Sequence, residues 1–286
     1  MAFAVTQRGR AVGWCVTFVS LCFVWHFLAF TNQFERFLYH RAAPGQHVAF
    51  GNVTVFVKDM RFNHPLVWPE TVSTSQLVAF VAICGATVVV IEGAASRTAN
   101  SVWHAAALFM VAVVMNEFFT LLAKNYVGFL RPNFYNGCGW SDDLQQCTRM
   151  HVKLRHSFPS GHSSHSWNAA VLLTLRVLAQ YHRAGPSGRS LLPTFCKLLV
   201  PVPCAVAGFI ALSRVHDFWH HPADVVAGTC CGATIAALIN ALAWIPDVDT
   251  QPRALHSSCT GAVTPNSVGS APTETSLSSD IRTALV

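Results

Sequence analysis

Six stretches of mostly apolar residues punctuate the chain, each about the length of a bilayer-crossing helix. Residues 12–31 contain no Asp, Glu, Lys or Arg, and residues 76–95 contain one, Glu92. Residues 102–123 are apolar apart from His104, Asn116 and Glu117. Residues 163–181 are weaker and carry Arg176, close enough to one end to be expected to snorkel. Residues 195–212 hold Lys197 at their edge and Pro201 and Pro203, which predict a kink. Residues 224–245 are charge-free after Asp224, and Gly228 and Gly232 are spaced for close helix packing. The first stretch exceeds a signal-peptide core and no A-x-A-like site follows it, so it is expected to be a retained span. The connections are a long first loop (residues 32–75), a third loop of about 40 residues and short others. Beyond residue 245 the pattern stops, and 13 of the last 41 residues are Ser or Thr. Residues 246–286 therefore read as a disordered tail.

Composition agrees with this pattern. Of 286 residues, 52% are hydrophobic and 11% charged, against roughly 25% charged in an average soluble domain. The mean hydropathy is +0.39, which excludes an ordinary soluble enzyme. A net charge of +6 raises nucleic acid as a partner, but no Lys/Arg block exists to track phosphates. The expected class is an all-α polytopic membrane protein, a six-helix bundle over residues 1–245. An even number of spans puts both termini on one side. Ten of the 19 Lys and Arg residues lie in loops one, three and five and nine elsewhere, so positive charge does not orient the bundle. The sequon Asn52-Val53-Thr54 in the first loop favours a lumenal or extracellular position for the odd loops and cytosolic termini.

Polar residues that survive in such a chain advertise function. Lys124, Arg131 and Pro132 follow the third span, Pro159-Ser160-Gly161-His162 precedes the fourth, and Ser213-Arg214, His220 and Asp224 lie between the fifth and sixth. By span parity all three groups share one membrane face. Three cations at one surface suit phosphoryl oxygens, which guanidinium groups grip bidentately. Ser160 is placed to cap a helix whose free N–H groups favour an anion, and Gly161 permits close approach. If a helix begins at Pro222, Asp224 falls in its first turn and can reach back to His220, fixing the tautomer of a nucleophilic imidazole. His162 is then the proton donor to the departing oxygen.

These residues resemble the type 2 phosphatidic acid phosphatase superfamily, whose motifs K-x6-R-P, P-S-G-H and S-R-x5-H-x3-D are matched at every consensus position between Lys124 and Pro132, Pro159 and His162, and Ser213 and Asp224. The integral-membrane lipid phosphate phosphatase branch is the most similar, and the resemblance spans roughly residues 76–245. It implies a phosphohistidine on His220 oriented by Asp224, His162 as acid, and Lys124, Arg131, Ser160, Gly161 and Arg214 as phosphate ligands, with no metal or other cofactor. It implies lipid phosphate substrates such as phosphatidate, lysophosphatidate, sphingosine phosphate, ceramide phosphate and diacylglycerol pyrophosphate, at a site facing the lumen or exterior. The bilayer itself is the other expected partner.

Other readings compete. His162 and His165, or His216, His220 and His221 with Asp217 and Asp224, offer metal ligands, but three nearby cations oppose a dication. Glu92 and Glu117 suit a transporter's ion path as well as ordinary pairing. A polyprenyl diphosphate phosphatase shares the motifs, and a non-catalytic lipid-binding or transport relative is the non-enzyme alternative. Of ten cysteines, Cys138 and Cys147 share the third loop, where an oxidising compartment would let them form a disulfide.

Overall fold

A computed structural model describes residues 43–96, 99–149, 152–183 and 200–243. The expected first span at residues 12–31 and the tail at 246–286 lie outside the described residues. Five long helices are described: α1 (Thr74–Ser96), α2 (Ala99–Val127), α3 (Gly161–Arg183), α4 (Val202–His216) and α5 (Pro222–Ala243). Three stretches, Thr74–Ala95, Ala99–Val127 and Pro222–Leu242, are long and apolar enough to cross a membrane. Large apolar side chains such as Val90, Trp103, Phe209 and Leu238 point outward, as lipid-facing positions do.

The most polar helix, α3, is the central one and packs against α1, α2, α4 and α5. Its sequence explains the placement. Ser163, Ser164, Ser166, Asn168, Ala169 and Ala170 are all buried, and such small side chains let neighbouring backbones come close. Across from them, a Cβ on Gly228 would lie 2.5 Å from the Ser160 carbonyl oxygen, and one on Gly232 would lie 2.0 Å from that of Ser164. The hydroxyls satisfy one another locally: Asn116 Nδ2 donates to Ser164 Oγ at 3.3 Å, and Thr120 and Ser164 hydroxyls lie 3.1 Å apart. Asn168 Nδ2 donates to the Gly232 carbonyl at 3.2 Å.

Two expectations about the helices are corrected. Arg176 does not snorkel. It is buried, with Nε donating to Glu92 Oε1 at 2.7 Å and Nη1 to Asn240 Oδ1 at 3.4 Å. A carboxylate within reach on α1 offers the guanidinium a partner that headgroup water would otherwise supply. Pro201 and Pro203 do not kink a helix among the described residues, because α4 starts there, with Pro201 as its N-cap. At a helix start the missing N–H of proline costs nothing. Helix α1 opens on a capping box, in which Gln76 N–H donates to Ser73 Oγ and Ser73 N–H to Gln76 Oε1.

The fold is mostly helical rather than all-α. In the first loop β1 (Gly45–Phe50) and β2 (Val53–Lys58) form an antiparallel hairpin paired from Gly45↔Lys58 to Phe50↔Val53. Asn52 is exposed at its turn, beside Gly51 at φ +62°. In the third loop β3 (Trp140–Ser141) pairs with β4 (Gln146–Cys147), and Cys138 and Cys147 are joined as a disulfide. The two loops share a small core in which Phe62, Phe134, Tyr135, Cys138 and Leu154 are buried. Phe56 stacks on Trp140 at 5.0 Å between ring centres, and Lys58 pairs with Asp142 at 2.7 Å.

Replacing Gly232 by Ala forces a carbon against backbone and should lower stability by about 1–3 kcal/mol. Gly208→Ala, where no atom lies within 4 Å of the added carbon, should not. Thermal unfolding of the two variants in detergent micelles checks this, and equal melting temperatures would show that α3 and α5 do not need their close approach.

Candidate active site

Each motif residue is delivered by the end of a helix or the turn beside it. Lys124 lies in the last turn of α2, which the chain leaves at Gly128 with φ +57°. Arg131 follows in the loop, its N–H bonded to the Leu154 carbonyl at 2.9 Å. Ser160 precedes α3, and its Oγ accepts the Ser163 N–H at 3.4 Å, so it caps the helix. Arg214 lies in the last turn of α4. The chain then turns through Phe218, at φ +56°, and the Trp219 and His220 N–H groups both reach the Arg214 carbonyl at 3.1 Å. Helix α5 begins at Pro222 with Asp224 in its first turn.

These ends meet around residues 156–160. Lys124 Nζ donates to the carbonyls of His156 at 3.0 Å and Pro159 at 2.7 Å. Arg131 Nε donates to Lys153 O at 2.7 Å and Nη2 to His156 O at 3.5 Å, while its guanidinium lies 4.9 Å from the Trp219 ring centre. The Ser160 N–H donates to the Asp224 carbonyl at 2.9 Å. A Cβ on Gly161 would lie 3.8 Å from Lys124 Cε, so the cation approaches the helix N-terminus. The charges of Arg214, Arg131 and Lys124 all act on His162.

The His220–Asp224 relation differs from the expected one. His220 Nδ1 lies 3.7 Å from Asp224 Oδ2, too far for a hydrogen bond. It donates instead to the Ser157 carbonyl at 2.7 Å. A carbonyl can only accept, so the proton sits on Nδ1 and Nε2 keeps its lone pair. Asp224 Oδ2 accepts from Ser157 Oγ at 2.5 Å and from the His221 N–H at 2.9 Å. The carboxylate thus braces both segments that hold the imidazole. The single Nδ1–H can serve one acceptor well, and the Ser157 carbonyl is nearer.

Sequence reasoning missed Ser157, His156 and Glu70 here, and weighed Asp217 only as a metal ligand. Ser157 and His156 supply the carbonyls just described. Arg214 Nη1 donates to Glu70 Oε2 at 2.5 Å and Nη2 to Asp217 Oδ2 at 3.2 Å. Asp217 in turn accepts the N–H and hydroxyl of Thr71, each at 2.7 Å. Asp217 was discoverable, being three residues from Arg214 at a helix end. Nothing local to Glu70 points to it.

Three of the five histidines weighed as metal ligands turn elsewhere. His165 pairs with Glu117 at 3.0 Å and His216 with Asp217 at 3.0 Å, and His221 Nε2 meets the Leu130 carbonyl at 3.1 Å. Among the described residues no three His, Cys, Asp or Glu side chains are grouped to hold a metal. Among the same residues, His162 Nε2, His156 Nε2, Trp219 Nε1 and Asp224 Oδ1 are buried without a hydrogen-bond partner. Four such atoms in one cluster suit a polar ligand.

Burial dominates the electrostatics. It holds the His220 imidazole well below its ordinary value; Asp224 opposes this, and the charges of Arg131 and Lys124 add to it. Burial and the same two cations lower His156 to about 4. Arg131 is lowered by burial to about 10, with Glu70 and Asp224 restoring part of the loss. At neutral pH the cluster therefore combines charged Arg131 with neutral imidazoles at His220 and His156.

The PAP2 superfamily model matches residues 103–245. Diacylglycerol pyrophosphate phosphatase 1 of Saccharomyces cerevisiae is 29% identical over 198 residues, covering 63% of this chain and 67% of the yeast protein. Human phospholipid phosphatase 2 is 34% identical over 151 residues, 48% of this chain and 50% of the human one. Lipid phosphate phosphatase 2 of Arabidopsis thaliana is 32% identical over 144 residues, 46% and 48% of the two chains. The alignments thus span two thirds of the yeast relative and half or less of the other two. No solved structure matches the chain.

Histidine-selective 15N NMR should show His220 protonated on Nδ1 and titrating below 6.5, the ordinary value for this side chain. Removing a nearby cation by Arg131→Gln raises the pKa, so the midpoint should move upward. A wild-type midpoint at or above 6.5 would contradict this account of the site.

Proposed function

The chain belongs to the PAP2 superfamily, and from that premise we propose that it is an integral-membrane lipid phosphate phosphatase working through a phosphohistidine. One observation carries the reading: Lys124 at the end of α2, Arg131 in the loop after it, His162 at the start of α3 and His220 between α4 and α5 converge where His220 has its Nε2 lone pair free. In the proposed reaction Nε2 attacks phosphorus and the ester P–O bond breaks. The departing alkoxide takes a proton from His162, whose protonation the phosphate's own charge favours. Water then attacks phosphorus, giving up a proton to His162 as the P–Nε2 bond breaks, and inorganic phosphate leaves with His220 restored. Lys124, Arg131, Arg214 and the Ser160–Gly161 backbone hold the phosphoryl oxygens as charge shifts between them. Side-chain cations fill the role a metal would otherwise play, so no cofactor is needed.

The substrate class is lipid monoesters and pyrophosphates: phosphatidate, lysophosphatidate, sphingosine phosphate, ceramide phosphate and diacylglycerol pyrophosphate. The yeast diacylglycerol pyrophosphate phosphatase, the human phospholipid phosphatase and the Arabidopsis lipid phosphate phosphatase support lipid phosphates as the class. In the proposed topology six spans occupy residues 1–245. The termini and the tail at 246–286 are cytosolic, and the site and a glycosylated Asn52 are lumenal or extracellular. Polyprenyl diphosphates are the alternative substrates, and a non-catalytic lipid carrier is the alternative role.

The test is phosphate release from phosphatidate in mixed micelles with EDTA present. Wild type should be active. His220→Ala should lose at least about a thousandfold in kcat, and His162→Ala roughly 10²–10⁴-fold. Loss of wild-type activity in EDTA would return the metal reading. Silence on a panel that includes sphingosine phosphate and polyprenyl diphosphates, from folded protein, would favour the carrier. For topology, Asn52→Gln should abolish a glycosidase-sensitive shift in gel mobility of protein made in a glycosylating host; a shift that persists unchanged would remove Asn52 as the site.

A further inference from the structure

Arg214 is almost wholly buried and already well occupied. A guanidinium has five N–H donors. Nε donates to Ser213 Oγ at 3.1 Å, Nη1 to Glu70 at 2.5 Å and Nη2 to Asp217 at 3.2 Å. A phosphoryl group is gripped best by two parallel N–H groups, and in this arrangement the two carboxylates already engage both terminal nitrogens. One carboxylate must yield for Arg214 to present its full fork to phosphate.

The two are not equally free to do so. Asp217 is completely buried and is fixed by both donors of Thr71 as well as by His216. Glu70 has Arg214 as its single hydrogen-bond partner among the described residues, and its side chain is 16% exposed. Its backbone is nevertheless tethered, because the next residue, Thr71, is the one bonded to Asp217. The carboxylate can therefore swing away from Arg214 and return without leaving the site. Its charge also acts on Arg131, so it bears on two of the three cations.

We propose that Glu70 is a built-in competitor for the phosphate site, a carboxylate that occupies Arg214 between turnovers, is displaced by the incoming phosphoryl group and helps to expel inorganic phosphate. The inference rests on the reading that Arg214 holds phosphate. It assigns the first loop a part in the reaction, that of setting how tightly phosphate is retained. Without Glu70 the cations would bind phosphate more strongly and the product would leave more slowly. With it, the cluster of Lys124, Arg131 and Arg214 faces Glu70, Asp217 and Asp224, three charges of each sign.

The probe is inorganic phosphate on the purified full-length protein. It is read in two ways: as a competitive inhibitor of phosphatidate hydrolysis, and by the phosphate-dependent rise in melting temperature, which does not require activity. Glu70→Gln keeps the shape and removes the charge. Its half-effective phosphate concentration should fall by about tenfold, with earlier product inhibition in progress curves. If Glu70 merely clamps Arg214 in place, the same variant binds phosphate more weakly; that result, or an unchanged value, overturns the proposal. Should Glu70→Gln not fold, Glu70→Asp, which shortens the reach to Arg214, should shift the value in the same direction by a smaller factor, and no shift or weaker binding again overturns it. Arg214→Ala separates the two levels of inference. It should lose the phosphate response; if it binds phosphate as wild type does, the fault lies in the phosphate role of Arg214 and the competitor idea falls with it.

Discussion

Cations cannot be gathered at the edge of an apolar bundle unless something offsets their desolvation and mutual repulsion, and here backbone carbonyls supply part of the offset. The peptide oxygens of His156, Ser157 and Pro159 take hydrogen bonds from Lys124, Arg131 and His220. One short segment, bent at Phe158 and Pro159, thereby fastens the ends of α2 and α4–α5 to the start of α3. Because the oxygens belong to the main chain, they are fixed by the fold and do not titrate. Everything else about the site depends on that segment being held.

What holds it is helix packing several ångströms away. The Ser160 N–H is tied to the Asp224 carbonyl, and just below it the backbones of α3 and α5 approach so closely that glycine is required at 228 and 232. Serines and alanines on α3 make this approach possible, and their hydroxyls find partners within the bundle. The chain thus spends its small residues where most membrane helices would place large ones. The return is a His220 imidazole positioned by two helices and a loop at once.

Charge balance is the second condition. Arg214 meets Glu70 and Asp217 from two different loops, and Asp224 braces Ser157 and His221. Carboxylates close to a cation cluster oppose anion binding, yet without them the buried cations would repel one another more strongly. Neutral histidines complete the arrangement, since burial disfavours the charged form of His220 and His156. Glu70 reaches Arg214 from a first-loop segment held at its next residues, Thr71 bonded to Asp217 and Val72 buried against Leu77 and Ile210.

Much of this was legible in the chain. Apolar windows located α1, α2 and α5, the proline at 222 marked the start of α5, and the GxxxG spacing marked its close contact. Span parity predicted that Lys124, Arg131, His162, Arg214 and His220 would lie near one another, and the described helix ends and turns do bring them together. Other features were decided only by tertiary structure. Arg176 turned inward because Glu92 on another helix could meet it, the hairpins formed because two loops supplied each other's apolar partners, and His220 chose the Ser157 carbonyl over Asp224 by a difference of 1 Å. Periodicity and motif spacing report contacts along one helix or one turn, whereas those choices depend on distances between segments far apart in the chain.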